Sequence, residues 1–277
     1  VGMVVANHGP RAFSAGANVF QVLAAAQMGQ WDLIEKGVEA LQGVNMKMKY
    51  LGKPVVTAPA GLALGGGCEI AMHGARCLPN GETYMGLVEV GVGVIPAGGG
   101  CKEILVRLTE GIPDGLIEQG FNLQYHMGKA FENIAMAKVS TSAAEAMELG
   151  YIRKSETINM SRDQQIFEAK RLVLSLVATD YKPPKPALIP VMGENLRGMI
   201  NAILQNMFYG KFVSEYDLHV SKKVAYILSG GDCAEGTYVT EQEILDLEKE
   251  AFVSLCGEKK TQERIMYMLS NGKPLRN

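Results

Sequence analysis

The stretch "KPVVTAPAGLALGGGCEIAMH", residues 53–73, holds the pattern from which the rest of the chain can be read. A short β-branched run, "KPVVTA", reads as a strand ended by Pro59 and Gly61. Three glycines, Gly65 to Gly67, then run into Cys68 and Glu69, and Glu69 to His73 reads as the start of a helix. Three kinds of site need that much bare backbone before an acid: a phosphate cradle, a close packing contact and an oxyanion hole. A P-loop is excluded, because no lysine followed by serine or threonine comes after Gly67 or Gly100. A dinucleotide turn is excluded too: "GVGVIPAG", residues 91–98, fails G-x-G-x-x-G at the third glycine and has a proline in the turn. Close packing and an oxyanion hole remain.

The surroundings bear on that choice. "VGMVVA" at the start is a strand, and "NHGPRAFSAGANV" after it is a loop of glycine and small residues. "SAGAN" and "LGGGCE" thus each follow a strand, and each can present a backbone N–H with no side chain in the way. Two converging N–H groups form an oxyanion hole, and one at a helix N-terminus also gains from the helix dipole. Two acids accompany the loops. Glu69 follows the glycines, and Glu89 sits in the apolar stretch "MGLVEVGVGVIP". An isolated glutamate is ordinarily a solvated loop residue, but one among valines is expensive to bury ionised unless paired or used. Beside an oxyanion hole, two such acids make a general acid/base pair whose pKa values burial sets. Glu69 and His73 stand at i, i+4, where His73 reads as a packing residue, and Cys68 reads as core.

Along the chain, Trp31, Ile34, Val38, Leu41, Val44 and Met48 recur every three to four residues and predict a helix over Trp31–Tyr50. "ARCL" and "TYMG" predict short strands around the turn "PNGE", and "LVEVGVGVIPAGGG" a loop. Helices are expected over Lys102–Arg107, over Ser142–Leu149 with Gly150 as C-cap, and over "MSRDQQIFEAKRLVLSLVA" with Asp163 in its first turn. "TDYKPPKPALIP" carries four of the eleven prolines and reads as a linker. Four further helices follow it, the last stopped by Asn271-Gly272.

Composition limits the function classes. The 277 residues are enough to bury a real core, and 47 % hydrophobic with 20 % charged residues reads as globular. A net charge of −2 argues against a nucleic-acid partner or an anionic membrane surface. The cysteines, 68, 77, 101, 233 and 256, form no C-x-x-C pair and read as reduced, mostly buried thiols of a cytoplasmic protein. His8, His73, His126 and His219 lack metal-ligand spacing, so no metal site is expected. No apolar run reaches membrane-spanning length.

"AFSAGANV", then "KPVVTAPAGLALGGGCEIAMH", then "TYMGLVEVGVGVIPAGGG" together closely resemble the crotonase superfamily, and more narrowly its enoyl-CoA hydratase branch. The resemblance is strong over about residues 1–110 and weaker over 135–155. The tail, "EAFVSLCGEKKTQERIMYMLSNGKPLRN", is similar to the end of bacterial fused β-oxidation enzymes, in which a 3-hydroxyacyl-CoA dehydrogenase part precedes the hydratase part. This resemblance implies an α/β crotonase-like fold: a ββα superhelix of two packed sheets surrounded by helices, with the family's first strands and helix upstream of Val1. It implies a catalytic core over 1–180, a linker over 181–195 and a helical region over 196–277.

By position, Ala17 and Gly66 would supply the oxyanion N–H groups, and Glu69 and Glu89 match the family's two catalytic glutamates. Ala15, Gly16, Asn18, Leu64, Gly65, Pro96 and Gly98 would line the acyl-CoA. Asn18 stands where an aspartate is usual, Phe20 where some members place a CoA-contacting lysine, and Cys101-Lys102-Glu103 where a polar residue and an arginine are usual. The implied reaction is hydration of a trans-2-enoyl-CoA. Isomerisation of a 3-enoyl-CoA and a non-catalytic acyl-CoA-binding or assembly module are the alternatives. Coenzyme A thioester is then the substrate, no cofactor belongs to this chain, and NAD belongs to the dehydrogenase part of a parent chain. A homo-oligomer is compatible with the family.

Overall fold

The computed structural model describes every residue except 8, 10, 114 and 118, so His8 and Pro10 of the expected first loop lie outside the described residues. The chain forms two compact units. The first comprises residues 1–17, 40–87 and 139–186, the second residues 18–39, 88–138 and 187–277. The last change between them, at Pro186–Ala187, falls within the proline-rich stretch.

In the first unit the strands alternate between two parallel three-stranded sheets. β1 (Met3–Ala6), β3 (Val55–Ala58) and β5 (Arg76–Cys77) form one; β2 (Ala12–Ser14), β4 (Gly61–Leu64) and β6 (Thr83–Gly86) form the other. β1 runs in register with β3 from Met3 opposite Val55, and β4 with β6 from Gly61 opposite Thr83. β3 is buried on both faces, and its one polar residue, Thr57, donates its hydroxyl to the Ala71 carbonyl at 2.9 Å. Only Pro59 and Ala60 separate β3 from β4. A change of sheet in so few residues needs a sharp bend, and Gly61 makes it at φ 67°, where a Cβ would lie 2.5 Å from the Arg11 carbonyl oxygen. Neither β2, Ala-Phe-Ser, nor β4, Gly-Leu-Ala-Leu, has a β-branched residue, so neither carries a strong strand signal in the sequence.

α3 (Gly66–Met72) follows β4 and completes a ββα unit. It begins three residues earlier than expected, because the Glu69 amide already donates to the Gly65 carbonyl at 3.0 Å. The expected Ser142–Leu149 helix is α6 (Ala143–Leu149), with Ser142 and Gly150 as caps. α7 (Gln165–Ala178) lies on β1 and β3, with Ala169 and Val173 packed against Val56, Ala58 and Leu78. Asp163 sits not in its first turn but in the 3₁₀ turn before it, and Glu168 is the acid of that first turn.

The second unit is mainly helical. It contains α1 (Val19–Gln27), α4 (Gly100–Thr109) and α5 (Gln124–Ala135), then α8 (Gly193–Tyr209), α9 (Glu215–Leu228), α10 (Glu241–Cys256) and α11 (Lys259–Asn271). β7 (Leu188–Pro190) and β8 (Tyr238–Thr240) pair antiparallel, so strand and helix start already lie within the expected linker. α1 and α5 were not foreseen. The helix α2 covers Trp31–Tyr50 as expected, but its buried stripe is not the expected one. Ile34, Val38 and Met48 are buried, whereas Trp31 and Val44 are exposed and Gln42, Asn45 and Lys49 take buried positions. α9 and α10 each open on a capping box, Ser214 with Asp217 and Thr240 with Glu243.

Candidate active site

In the first unit, the turn after β2 and the start of α3 run side by side. Three adjacent glycines serve three different needs there. Gly65 adopts φ 54°, ψ −127°, a conformation that a Cβ disfavours. Gly67 packs on the end of β2, where a Cβ would meet the Ser14 carbonyl oxygen at 2.6 Å. Gly66 is crowded by nothing: a Cβ there would rest at ordinary contact, 3.7 Å from Leu41 Cδ2 and 3.8 Å from the Ala17 nitrogen. A Cβ on Gly16, at φ 93°, would lie 3.3 Å from the Gly66 nitrogen. The backbone of the two loops therefore meets at Gly16–Ala17 and Gly66, with no side chain between. Ala15 and Ala17 are exposed, Gly16, Leu64 and Gly66 half-buried, and Gly65 buried.

Glu69, one turn into α3, is 2 % exposed. His73 touches it through the backbone: its Nδ1 lies 2.6 Å from the Glu69 carbonyl oxygen. His73 is fully buried, in line with a packing role, and Cys68 is core beside Met72, their sulfurs 3.8 Å apart. The first unit thus gathers Ala15, Gly16, Ala17, Leu64, Gly65, Gly66 and Glu69.

Asn18, Glu89, Pro96 and Gly98 belong to the second unit. The Asn18 side chain caps α1, accepting from the Phe20 amide at 3.1 Å, so the asparagine fills the N-cap position well. Glu89 is half-buried and opens a 3₁₀ turn, Glu89–Val92, inside the stretch expected to be loop. Gly93 closes that turn at φ 84°. Pro96 and Gly98 are buried, and Gly99, at φ 99°, precedes α4.

Two residues that sequence reasoning missed anchor this segment. Glu248 of α10 is fully buried and accepts from the Gly99 amide at 2.8 Å and the Lys102 amide at 2.7 Å. It caps α4 from another helix, a good place for a negative charge. Thr261 of α11, also fully buried, donates to the Gly93 carbonyl at 2.6 Å. The Cys101-Lys102-Glu103 departure is built into the same region. Lys102 Nζ, fully buried, pairs with Glu103 at 2.8 Å and Glu241 at 3.0 Å. Burial pushes the Lys102 ammonium down, but the two carboxylates outweigh it and hold it above its ordinary value. Among the described residues, no cluster of three or more His, Cys, Asp or Glu could hold a metal ion, and no helix is long and apolar enough to cross a membrane.

Two interleaved parallel sheets built from ββα units, with glycine-rich turns at the ends of β2 and β4, are the framework of the crotonase fold. A crystal structure of an enoyl-CoA hydratase from Rhodobacter sphaeroides superimposes with a TM-score of 0.64 at 17 % identity, covering 100 % of this chain and 79 % of that one. Residues 1–150, more than half of the chain, match the family model described as enoyl-CoA hydratase/isomerase, and the chain belongs to that family. A Bacillus subtilis protein named "Probable 3-hydroxyacyl-CoA dehydrogenase" is 40 % identical over 276 residues, covering 100 % of this chain and 34 % of its own length. A "Short-chain-enoyl-CoA hydratase" of Clostridium acetobutylicum is 28 % identical over 167 residues, 58 % of this chain and 55 % of that protein. The chain spans about a third of the length of the first curated relatives it matches.

Proposed function

We propose that this chain adds water across the double bond of a trans-2-enoyl-CoA. The observation that carries the reading is the meeting of the Gly16–Ala17 turn with Gly66, where an added Cβ would meet only ordinary contacts, one helical turn from the buried carboxyl of Glu69. In this reading the Ala17 and Gly66 amides donate to the thioester oxygen and stabilise the enolate that forms as water adds at C3. Each such donor is typically worth about 10²–10³ in rate. One of the two glutamates, Glu69 and Glu89, orients and deprotonates the water. The other delivers a proton to C2, which restores the carbonyl. Ala15, Gly16, Asn18, Leu64, Gly65, Pro96 and Gly98 are proposed to lie along the acyl-CoA.

Hydration of crotonyl-CoA by the purified chain tests this. Glu69→Gln and Glu89→Gln are each expected to lower kcat by about 10²–10⁴, the usual worth of a positioned acid or base. Turnover that survives both substitutions would defeat the assignment. Loss on Glu89→Gln alone, with 3-enoyl-CoA as substrate, would identify an isomerase instead. Binding of a saturated acyl-CoA without any turnover would identify a non-catalytic module.

The product of hydration is a 3-hydroxyacyl-CoA, and the Bacillus subtilis relative is named for a dehydrogenase of that compound. We therefore also propose that this chain works beside an NAD-dependent dehydrogenase part of the same parent protein, in the cytoplasm, and itself carries no cofactor. A coupled assay on the parent protein, following NADH formation from enoyl-CoA, tests that arrangement.

A further inference from the structure

We infer that Thr261 and Tyr216, from the C-terminal helices, are positioning residues for Glu89, holding its turn in place through a chain of hydroxyl groups. The inference rests on the reading of Glu89 as a catalytic acid given above. Glu89 opens a single 3₁₀ turn, and a turn of four residues has little stability of its own. Its closing contacts are the Gly93 amide on the Val90 carbonyl at 3.1 Å and the Val94 amide on the Glu89 carbonyl at 3.3 Å. The Gly93 carbonyl then takes a 2.6 Å hydrogen bond from Thr261 Oγ1, 168 residues away in sequence.

With its proton committed to Gly93, Thr261 Oγ1 is the acceptor in its 2.6 Å contact with the Tyr216 hydroxyl. The chain runs from the Tyr216 O–H to Thr261, and from the Thr261 O–H to the Gly93 carbonyl. Arg264 braces the base of this chain. It is fully buried, bonds Asp217 at 2.8 Å, and its guanidinium stands 5.0 Å from the centre of the Tyr216 ring. α11 fits the turn closely, since a Cβ on Gly93 would meet Thr261 Oγ1 at 2.9 Å and Arg264 Cδ at 3.1 Å. The other end of the segment is held by Glu248 on Gly99 and Lys102. Glu89 thus lies on a stretch fixed at both ends by helices of residues 196–277. Those helices belong to the catalytic frame rather than to a separate docking module.

Thr261→Val removes the hydroxyl and keeps the shape; Thr261→Ser keeps the hydroxyl. In hydration of crotonyl-CoA, Thr261→Val is expected to lower kcat about tenfold with KM within about twofold, and Thr261→Ser to restore most of the loss. Amide exchange over residues 88–94 should be faster in Thr261→Val than in Thr261→Ser, a readout that needs no turnover. If Thr261→Val does not fold, Tyr216→Phe reads the same chain, with kcat expected to fall about threefold and KM unmoved. Should Glu89→Gln abolish activity while Thr261→Val and Thr261→Ser share the wild-type kcat and exchange rates, this inference fails and the hydratase reading stands. An active Glu89→Gln enzyme would overturn both.

Discussion

Replacing Gly66 by proline isolates one hydrogen-bond donor. Gly66 is the first residue of α3, so its amide has no place in the i to i−4 ladder of that helix. Proline is well tolerated at the first helical position, where its fixed φ suits the turn and its missing N–H is no loss to the helix. Gly66 is also the member of the glycine triplet with room around it, its nearest contacts for an added Cβ being at 3.7 and 3.8 Å. The Cβ of the proline meets only ordinary contacts there, and a thermal melt reports whether the rest of the ring is accommodated. If the Gly66 amide donates to the thioester oxygen, its loss should lower kcat by about 10²–10³, or about 2.7–4 kcal/mol of transition-state stabilisation. Gly66→Ala keeps the amide and adds only a methyl group, so it reports how much of the effect is crowding. Steady-state hydration of crotonyl-CoA, read beside a thermal melt, separates the two. A folded Gly66→Pro protein with kcat within about threefold of wild type would refute the oxyanion assignment.

Other tests reach beyond the site. Lys102→Met would remove the ammonium shared by the buried carboxylates of Glu103 and Glu241 and should cost about 3–5 kcal/mol in urea denaturation. Burial pushes the Asp217 carboxyl up, but the Ser214 backbone and the guanidinium groups of Arg264 and Arg276 outweigh this and hold it below its ordinary value. A depressed carboxyl stabilises the fold above its unfolded pKa of about 4 and loses that contribution as pH falls through the folded value. Asp217→Asn should therefore be less stable than wild type at pH 7, with the gap closing at the acid end of a denaturation series. Burial pushes the Cys256 thiol up to about 12, while Cys233 is the half-buried one of the five free cysteines. Native labelling at pH 8 should reach Cys233 first and leave Cys256 unmodified until the protein is unfolded.

The parts of this fold that were legible in the sequence are those whose pattern is local. α2 was bounded correctly because its apolar spacing persists over twenty residues, and α6 because Ser142 and Gly150 mark both ends. β4 escaped notice since Gly-Leu-Ala-Leu has no β-branched residue, and its identity as a strand comes from its neighbours β2 and β6. α1 follows directly on the small-residue loop, and its one local signal is Asn18, a residue type that favours the N-cap. The glycine triplet and Glu69 were readable as a candidate site because they are contiguous. Glu248 and Thr261 were not, for their partners lie 149 and 168 residues away and nothing local distinguishes a buried capping glutamate from a solvated one.

The division of the chain also has a consequence for its synthesis. Residues of the first unit come from three separated segments, the last ending at Pro186, and those of the second from three others, the last ending at Asn277. β6 can complete its sheet once residue 86 has left the ribosome, but α7, which covers β1 and β3, emerges only with residues 165–178. Nascent chains arrested before that point should display the bare apolar face of β1 and β3 to chaperones. Neither unit can be expressed alone by choosing a start and a stop codon.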